Sequence, residues 1–315
     1  MFATLAGDLP RPPTPDDRAA GADRAAADDG LALAATVALQ VEHGLEPLTD
    51  GGALRDGSIV ERWRRTYDAA SGRAAKAIVA GPFRAERSRA RVLAAAEAAN
   101  ATLRELADAG CPLIQVDAPD VDRIGGDTER RRLFVDASRR LLEGVKAHVS
   151  LALLGPAEGA GAATLFDPPF ASYLFDLVGG PDDWRLIVDA PRERGIICGV
   201  ARGAGGPLMV AEAMVWAAHY AASTQGRGLD RVGLATTGSL AGLDWDEAVR
   251  RVARLGRAAR LAATTDPEAL RRGMDPRAFR HRPARRRSSR PAEPREGPAE
   301  PREGPAEPRE QPEAE

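Results

Sequence analysis

Residues 109–120, AGCPLIQVDAPD, hold the reading on which the fold turns. A helical pattern over 88–109 ends here, and Gly110 follows where the left-handed residue that commonly closes a helix is needed. A short run, 113–117, starts almost at once. Runs such as 113–116 and 196–200 present apolar residues on both alternating faces. That pattern marks parallel strands buried between a core and a helical layer.

Working outward, the same alternation recurs along the chain. Strands are expected at 2–6, 46–49, 77–80, 113–117, 148–153, 172–177, 196–201 and 231–235, with helices at 32–43, 59–71, 88–109, 128–144, 209–223 and 244–263. Asp127 or Thr128 can cap the helix that follows, because a short oxygen-bearing side chain accepts from the free amides of a first turn. Asp244 with Glu247 has the spacing of a capping box. Eight strands, each followed by a helix or long loop, fit a closed α/β barrel of the (β/α)8 TIM type. An open doubly wound sheet competes, but no GxGxxG turn follows the first strand. The barrel is therefore expected as a single catalytic domain over 1–268.

Beyond it, 269–315 is expected to be a disordered tail. Arg and Pro crowd 276–291, and the heptad PAEPREG, PAEPREG, PAEPREQ fills 291–311. Proline at that density blocks backbone hydrogen bonding, and almost nothing apolar remains to bury. Arg285, Arg286 and Arg287 could touch nucleic acid or an acidic partner; the tail is expected as a solubilising extension or as a contact for a protein partner. Residues 12–30, rich in Pro, Ala and Asp, are expected to form a loop.

The 315 residues carry 44 Lys and Arg against 46 Asp and Glu, a formal net charge of -2. That balance gives no strong nucleic-acid signal and no membrane-surface signal. No apolar run approaches the roughly 20 residues that span a bilayer. Residues 1–13 lack a basic region followed by a leader-like apolar run, so a cytoplasmic location is expected. Cys111 and Cys198 stand in no metal-type spacing and are expected to be free thiols.

In such a barrel the active site lies where the βα loops converge, at the C-terminal ends of the strands. Polar residues collect at those points. Asp8 follows strand one, Asp50 strand two and Gly81 strand three. Asp117 ends strand four, His148 and Ser150 lie on strand five, and Asp176 closes strand six. Arg202 follows strand seven, and Thr236, Thr237 and Ser239 follow strand eight.

The segments FATLAGDLPRP, EHGLEPLTDGG, AIVAGPF, AGCPLIQVDAPD, HVSLALLG, GIICGVARG and RVGLATTGSLAGLDWDEA occur in that order. Together they resemble successive barrel segments of the cobalamin-independent methionine synthase and uroporphyrinogen decarboxylase-like superfamily. The resemblance implies a zinc ion that binds a substrate thiol as thiolate, and methyl transfer from a methylated folate. It places His148 and Asp176 as metal ligands and as the residues serving the reacting centre. Asp117 matches the carboxylate that holds a substrate amino group. The departures are specific: Ser150 stands at the first zinc cysteine, Gly238 with Ser239 beside it at the second, and Gly52 replaces a glutamate. Arg202 replaces an aspartate. Zinc held by one His, one Asp and neutral hydroxyls would bind far more weakly than with two thiolates.

Three functions follow as expectations. The first is methyl or other one-carbon transfer to a small thiol- or amine-bearing substrate, with Asp117 holding its cationic group and Arg202 an anionic one. Asp8, Asp50, Ser150 and Ser239 complete the substrate-binding set. The second is a metal-independent decarboxylase or lyase in which Arg202, with Arg11 and Arg55 as recruits, holds carboxylates. The third is a barrel without chemistry that binds a partner through its tail. Trp184, Trp216 and Tyr220 are expected to pack between outer helices, and Cys198 to be a buried inert thiol.

Overall fold

The computed structural model describes residues 1–13, 22–203 and 210–274, with side chains from 28 onward in the second stretch, and all of these fall in one compact unit. Seven apolar runs become strands: β1 (Phe2–Thr4), β2 (Lys76–Ala80), β3 (Leu113–Ala118), β4 (His148–Leu153), β5 (Ser172–Asp176), β6 (Gly195–Ala201) and β7 (Val232–Thr236). Every pairing is parallel, in the order β1-β7-β6-β5-β4-β3-β2. All strand C-termini therefore lie at one end of the sheet.

The sheet curls so that its two edges, β1 and β2, meet across residues 46–48. Glu46 N donates to Ala3 O at 2.7 Å on one side; Leu48 N donates to Ala74 O at 2.8 Å and Lys76 N to Leu48 O at 2.9 Å on the other. The expected strand 46–49 is thus a bridging stave rather than a regular strand. Pro47 has no amide hydrogen for a ladder, and the chain then turns away through Gly51 and Gly52, whose φ values are 56° and 74°. Past Leu48, among the described residues, no backbone hydrogen bond joins 49–54 to 77–81. The ring is consequently split on this side at its C-terminal end.

Nine α-helices surround the sheet: α1 (Ala22–Glu42), α2 (Ile59–Ala69), α3 (Arg89–Asp108), α4 (Thr128–Leu142), α5 (Ala162–Phe166), α6 (Trp184–Asp189), α7 (Ala211–Ser223), α8 (Trp245–Ala262) and α9 (Pro267–Gly273) among the described residues. Their ends follow local chemistry. Ser58 and Glu61 form a reciprocal capping box on α2. Asp127 accepts from Glu129 N and Arg130 N, and Asp244 from Glu247 N. Gly110, at φ 91°, donates to Ala107 O while Cys111 N reaches Leu106 O, which is the paired closure a left-handed residue permits.

Two boundaries differ from expectation. Helix α1 begins at Ala22, inside the stretch expected as a loop, because its alanines favour helix more than its aspartates oppose it. Helix α9 runs across residue 268, and Leu270 and Met274 pack on the core. The tail from 275, with its arginine cluster and heptads, lies outside the described residues. No helix among the described residues is long and apolar enough to cross a membrane.

Period-two alternation sorts each strand into two faces. Ile114, Val116, Val149, Leu151, Tyr173, Phe175, Ile196, Cys198 and Leu234 point outward to the helices and are fully buried. Ala6, Ala152, Leu174, Ile197 and Ala235 pack together inside the ring. Polar side chains share that interior: Lys76, Gln115, Ser150 and Ser172 are each 4% exposed or less. Outside, Trp184, Trp216 and Tyr220 cluster with ring centroids 4.9–5.4 Å apart, as expected. At the other end of the sheet, buried Arg227 donates to the carbonyls of Arg194, Ala221, Ala190 and Pro191 and to Thr224 Oγ1. It ties the ends of α6 and α7 to the start of β6.

Candidate active site

The split in the ring places polar groups in a cleft at the C-terminal end. A cavity of ≈ 120 Å³ is lined by Asp8, Asp50, Gly52, Arg62, Trp63, Thr66 and Lys76, with Ala77 and Ile78 of β2. Asp8 follows β1. Its side chain lies against Gly52, where an added Cβ would meet Asp8 Cγ at 2.6 Å. Asp50 holds the turn by accepting from Gly52 N at 3.4 Å. Arg62 reaches in from α2, its Nε buried without a hydrogen-bond partner among the described residues.

Gln115 organises the interior below this cleft. Its Nε2 donates to Ala6 O at 2.9 Å and to Asp117 Oδ1 at 2.7 Å. Both amide hydrogens are thereby used, so Oε1 faces Lys76 Nζ, which donates to it at 2.7 Å. The β3 alternation puts Gln115 and Asp117 on one face, and Lys76 extends from the start of β2 to meet them. Asp117 also lies near Arg84, which is anchored on Gly81 O and Phe83 O.

Burial sets the charges here. It lifts Asp117 to about 6, against the lowering effects of Gln115 and Lys76. Asp50 is raised as well, chiefly by burial, with Asp8 adding repulsion. Burial pushes Lys76 down to about 7, although Asp117 pulls the other way. No carboxylate lies within ion-pair distance of Lys76 Nζ among the described residues, so the ammonium form is poorly compensated.

Of the residues expected from sequence, Asp8, Asp50, Asp117 and Ser239 come together. Ser239 Oγ lies 3.5 Å from Asp8 O, and an added Cβ on Gly7 would meet Ser239 N at 2.8 Å. Asp176 also ends its strand at this end of the ring, but its carboxylate accepts from Val178 N and Gly179 N at 3.1 and 2.7 Å. It holds its own loop. Arg202 is exposed, and neither Asp176 nor Asp117 forms an ion pair with it. Arg11 pairs with Asp29 at 3.2 Å, and Arg55 is exposed outside the cavity lining.

His148 does not join this group. It is the first residue of β4, in register with Leu113, whereas Asp117 lies four positions further on and Asp176 lies level with Leu154. At roughly 3.3 Å per residue it is about 13 Å from Asp117 along the strands and about 20 Å from Asp176. It lines a separate cavity of ≈ 600 Å³ at the N-terminal end, hydrogen-bonded to Ser172 Oγ at 2.8 Å. The expected pairing of His148 with Asp176 is therefore not formed. Ser150 sits midway, its hydroxyl buried and without a hydrogen-bond partner among the described residues. Cys198 is buried, its thiol pushed up to about 12 by burial.

The donor set does not fit the expected zinc. Among the described residues no three His, Cys, Asp or Glu side chains are grouped to hold a metal ion. His148 and Asp176 stand at opposite ends of the ring, and no thiol reaches either.

Lys76, Gln115, Arg62 and Arg84 were missed in the sequence. A signal was present: Lys76 and Lys146 are the only lysines among 44 Lys and Arg residues, and Lys76 opens an apolar strand. Gln115 and Asp117, two apart in an otherwise apolar run, likewise had to share a face.

Fold and cleft together define a (β/α)8-type barrel with its polar site at the strand C-termini. No family model and no curated protein matches the sequence. Among solved structures the chain is similar to a B12-independent methionine synthase from Shewanella sp. W3-18-1 in complex with selenomethionine, with a TM-score of 0.68 and 14% identity over 82% of this chain and 96% of that one. It is more distantly similar to a D-psicose 3-epimerase from Clostridium cellulolyticum H10 with D-tagatose, at TM-score 0.49 and 13% identity over 87% and 99% of the two chains. At 14% identity the likeness to the first of these shows the fold alone.

Proposed function

We propose that this chain is an enzyme that transfers a methyl or other one-carbon group to a small amine-bearing substrate, without the thiolate zinc of the methionine synthase-like scheme. One observation carries the reading: Asp8 and Asp50 line one cleft at the strand C-termini, and Asp8 acts electrostatically on both Asp50 and Asp117, the latter on β3 beyond the intervening β2. Converging carboxylates suit a cationic ammonium group rather than an anion, and favour an amine over a thiol as the acceptor. Asp117, with its pKa lifted to about 6, has the basicity to take the ammonium proton near neutral pH. The freed nitrogen lone pair then attacks the methyl carbon of the donor, the bond from that carbon to the donor nitrogen breaks, and the proton held by Asp117 passes to that nitrogen, leaving methylated ammonium and protonated donor. A methylated folate is the donor proposed. The two free, buried thiols accord with a cytoplasmic setting.

The test is transfer of an isotopically labelled methyl group from methyltetrahydrofolate to a panel of small amines and amino acids, followed by mass spectrometry. Labelled product is expected, with the rate falling at least about 100-fold in Asp117→Asn, the loss typical of a missing general base. No labelled product across the panel, or an Asp117→Asn protein as active as the parent, would overturn the reading. Deleting 276–315 tests separately whether the tail contacts a protein partner. Loss of a co-purifying protein is expected on that proposal, and an unchanged set of partners contradicts it.

A further inference from the structure

We propose that Lys76 is an imine-forming residue, and that the cleft captures a small aldehyde or ketone covalently on its side-chain nitrogen. This goes beyond the transfer reading and needs no methyl donor.

Four observations converge on it. Lys76 is 4% exposed, yet it lines the cavity with Asp8, Asp50 and Arg62. Its nitrogen contacts a neutral acceptor, Gln115 Oε1, and among the described residues no carboxylate within ion-pair distance. A neutral amine donating one hydrogen to that oxygen keeps its lone pair free, and the amine form is the nucleophile carbonyl addition requires. Gln115 is itself locked by Ala6 O and Asp117 Oδ1, so the lysine has a fixed acceptor to orient it. Finally, a chain that uses arginine at nearly every other basic position keeps one of its two lysines inside the ring. A guanidinium in that place would be equally buried but could not lose its proton. Desolvation, which holds this amine well below an ordinary lysine, acts in the same direction.

The step balances as follows. The Lys76 nitrogen adds to the carbonyl carbon, and one nitrogen-bound proton passes to the carbonyl oxygen, giving a carbinolamine. Protonated Asp117 then delivers its proton to that hydroxyl. The carbon–oxygen bond breaks, water leaves, and an iminium remains opposite the Asp117 carboxylate. The net change is amine plus carbonyl plus one proton to iminium plus water, with no oxidation. A cavity of ≈ 120 Å³ admits a carbonyl compound of only a few heavy atoms.

The experiment treats the full chain with glyceraldehyde, propionaldehyde or pyruvate in the presence of borohydride, then maps the adduct by peptide mass spectrometry. Lys146, exposed at the surface, and the N-terminal amine are internal controls. Expected is a near-stoichiometric reduced adduct on Lys76 with at least one of the three, formed ten-fold or more faster than on Lys146. Asp117→Asn should slow labelling of Lys76 about ten-fold and leave Lys146 unchanged. Labelling of Lys146 or the N-terminus ahead of Lys76 in the parent protein overturns the proposal, and this readout needs no variant to fold. Failure of methyl transfer would leave the Lys76 adduct intact, so the two readings fail separately.

Discussion

Gln115 Nε2 donates to Asp117 Oδ1 at 2.7 Å along one strand, while the same amide's oxygen accepts from Lys76 at 2.7 Å. The amide thus joins a carboxyl held above its usual pKa to an ammonium held below its own. Burial opposes the charged form of each, and the intervening Gln115 keeps them from a close ion pair that would offset it.

That arrangement makes stability depend on pH with a definite sign. Lys76 is depressed to about 7 in the fold, against about 10.4 unfolded. Its contribution is therefore present above about pH 10 and is lost as pH falls to about 7, by on the order of 1 kcal/mol per pH unit. Asp117, raised to about 6, acts oppositely, losing its contribution as pH rises from about 4 to about 6. Urea unfolding of Lys76→Met against the parent should show a relative gain at pH 7 that shrinks steadily toward pH 10. A difference independent of pH across that range would mean the lysine is not desolvated.

Gly52 carries a second prediction. Its φ of 74° and the 2.6 Å approach of a built Cβ to Asp8 Cγ leave no room for a side chain. Gly52→Ala should destabilise by about 1 kcal/mol or more from backbone strain and also displace Asp8 from the cleft. Gly72→Ala, at φ 86° with open space around it, should share the strain alone. Calorimetry with a small diamine is expected to show weakened binding for the first variant and unchanged binding for the second.

Arg227 predicts a structural dependence on guanidinium shape. Five acceptors surround it, four of them main-chain carbonyls, and burial lowers its pKa. Arg227→Lys supplies three donors on a flexible stem and should not restore the fork. Thermal melts should place both Arg227→Lys and Arg227→Ala well below the parent, with a loss of about 3 kcal/mol or more for alanine, which leaves several buried carbonyls unpaired. A lysine variant melting with the parent would show that charge alone suffices.

His148 separates the zinc expectation from the cleft. Because it lies at the N-terminal end beside Ser172, His148→Ala should leave metal content and turnover as in the parent, whereas Asp117→Asn should cut turnover at least about 100-fold. Elemental analysis showing stoichiometric zinc that disappears with His148 would restore the metal reading.

The strand pattern was legible because burial on two faces constrains residue type at every position, as in 113–116 and 196–200. Asp8, Asp50 and Asp117 were legible too, since a parallel ring carries every strand end to one side. The stave at 46–49 looked like a strand, and Pro47 is the physical reason it is not one. The zinc pair was drawn from a resemblance in order and spacing. The expected strand 148–153 already opens on His148, at the far end from the loops, and only the resemblance drew it into the site.

By itself the sequence determined a parallel barrel, its helix caps and a circuit of carboxylates at the strand ends, because periodicity, capping chemistry and chain direction are local properties. Only the tertiary structure decided that the ring splits beside Asp50, that Lys76 is desolvated against Gln115, and that His148 is remote from Asp176. Those outcomes depend on strand register and on which side chains share the enclosed space, and neither is encoded in any one segment.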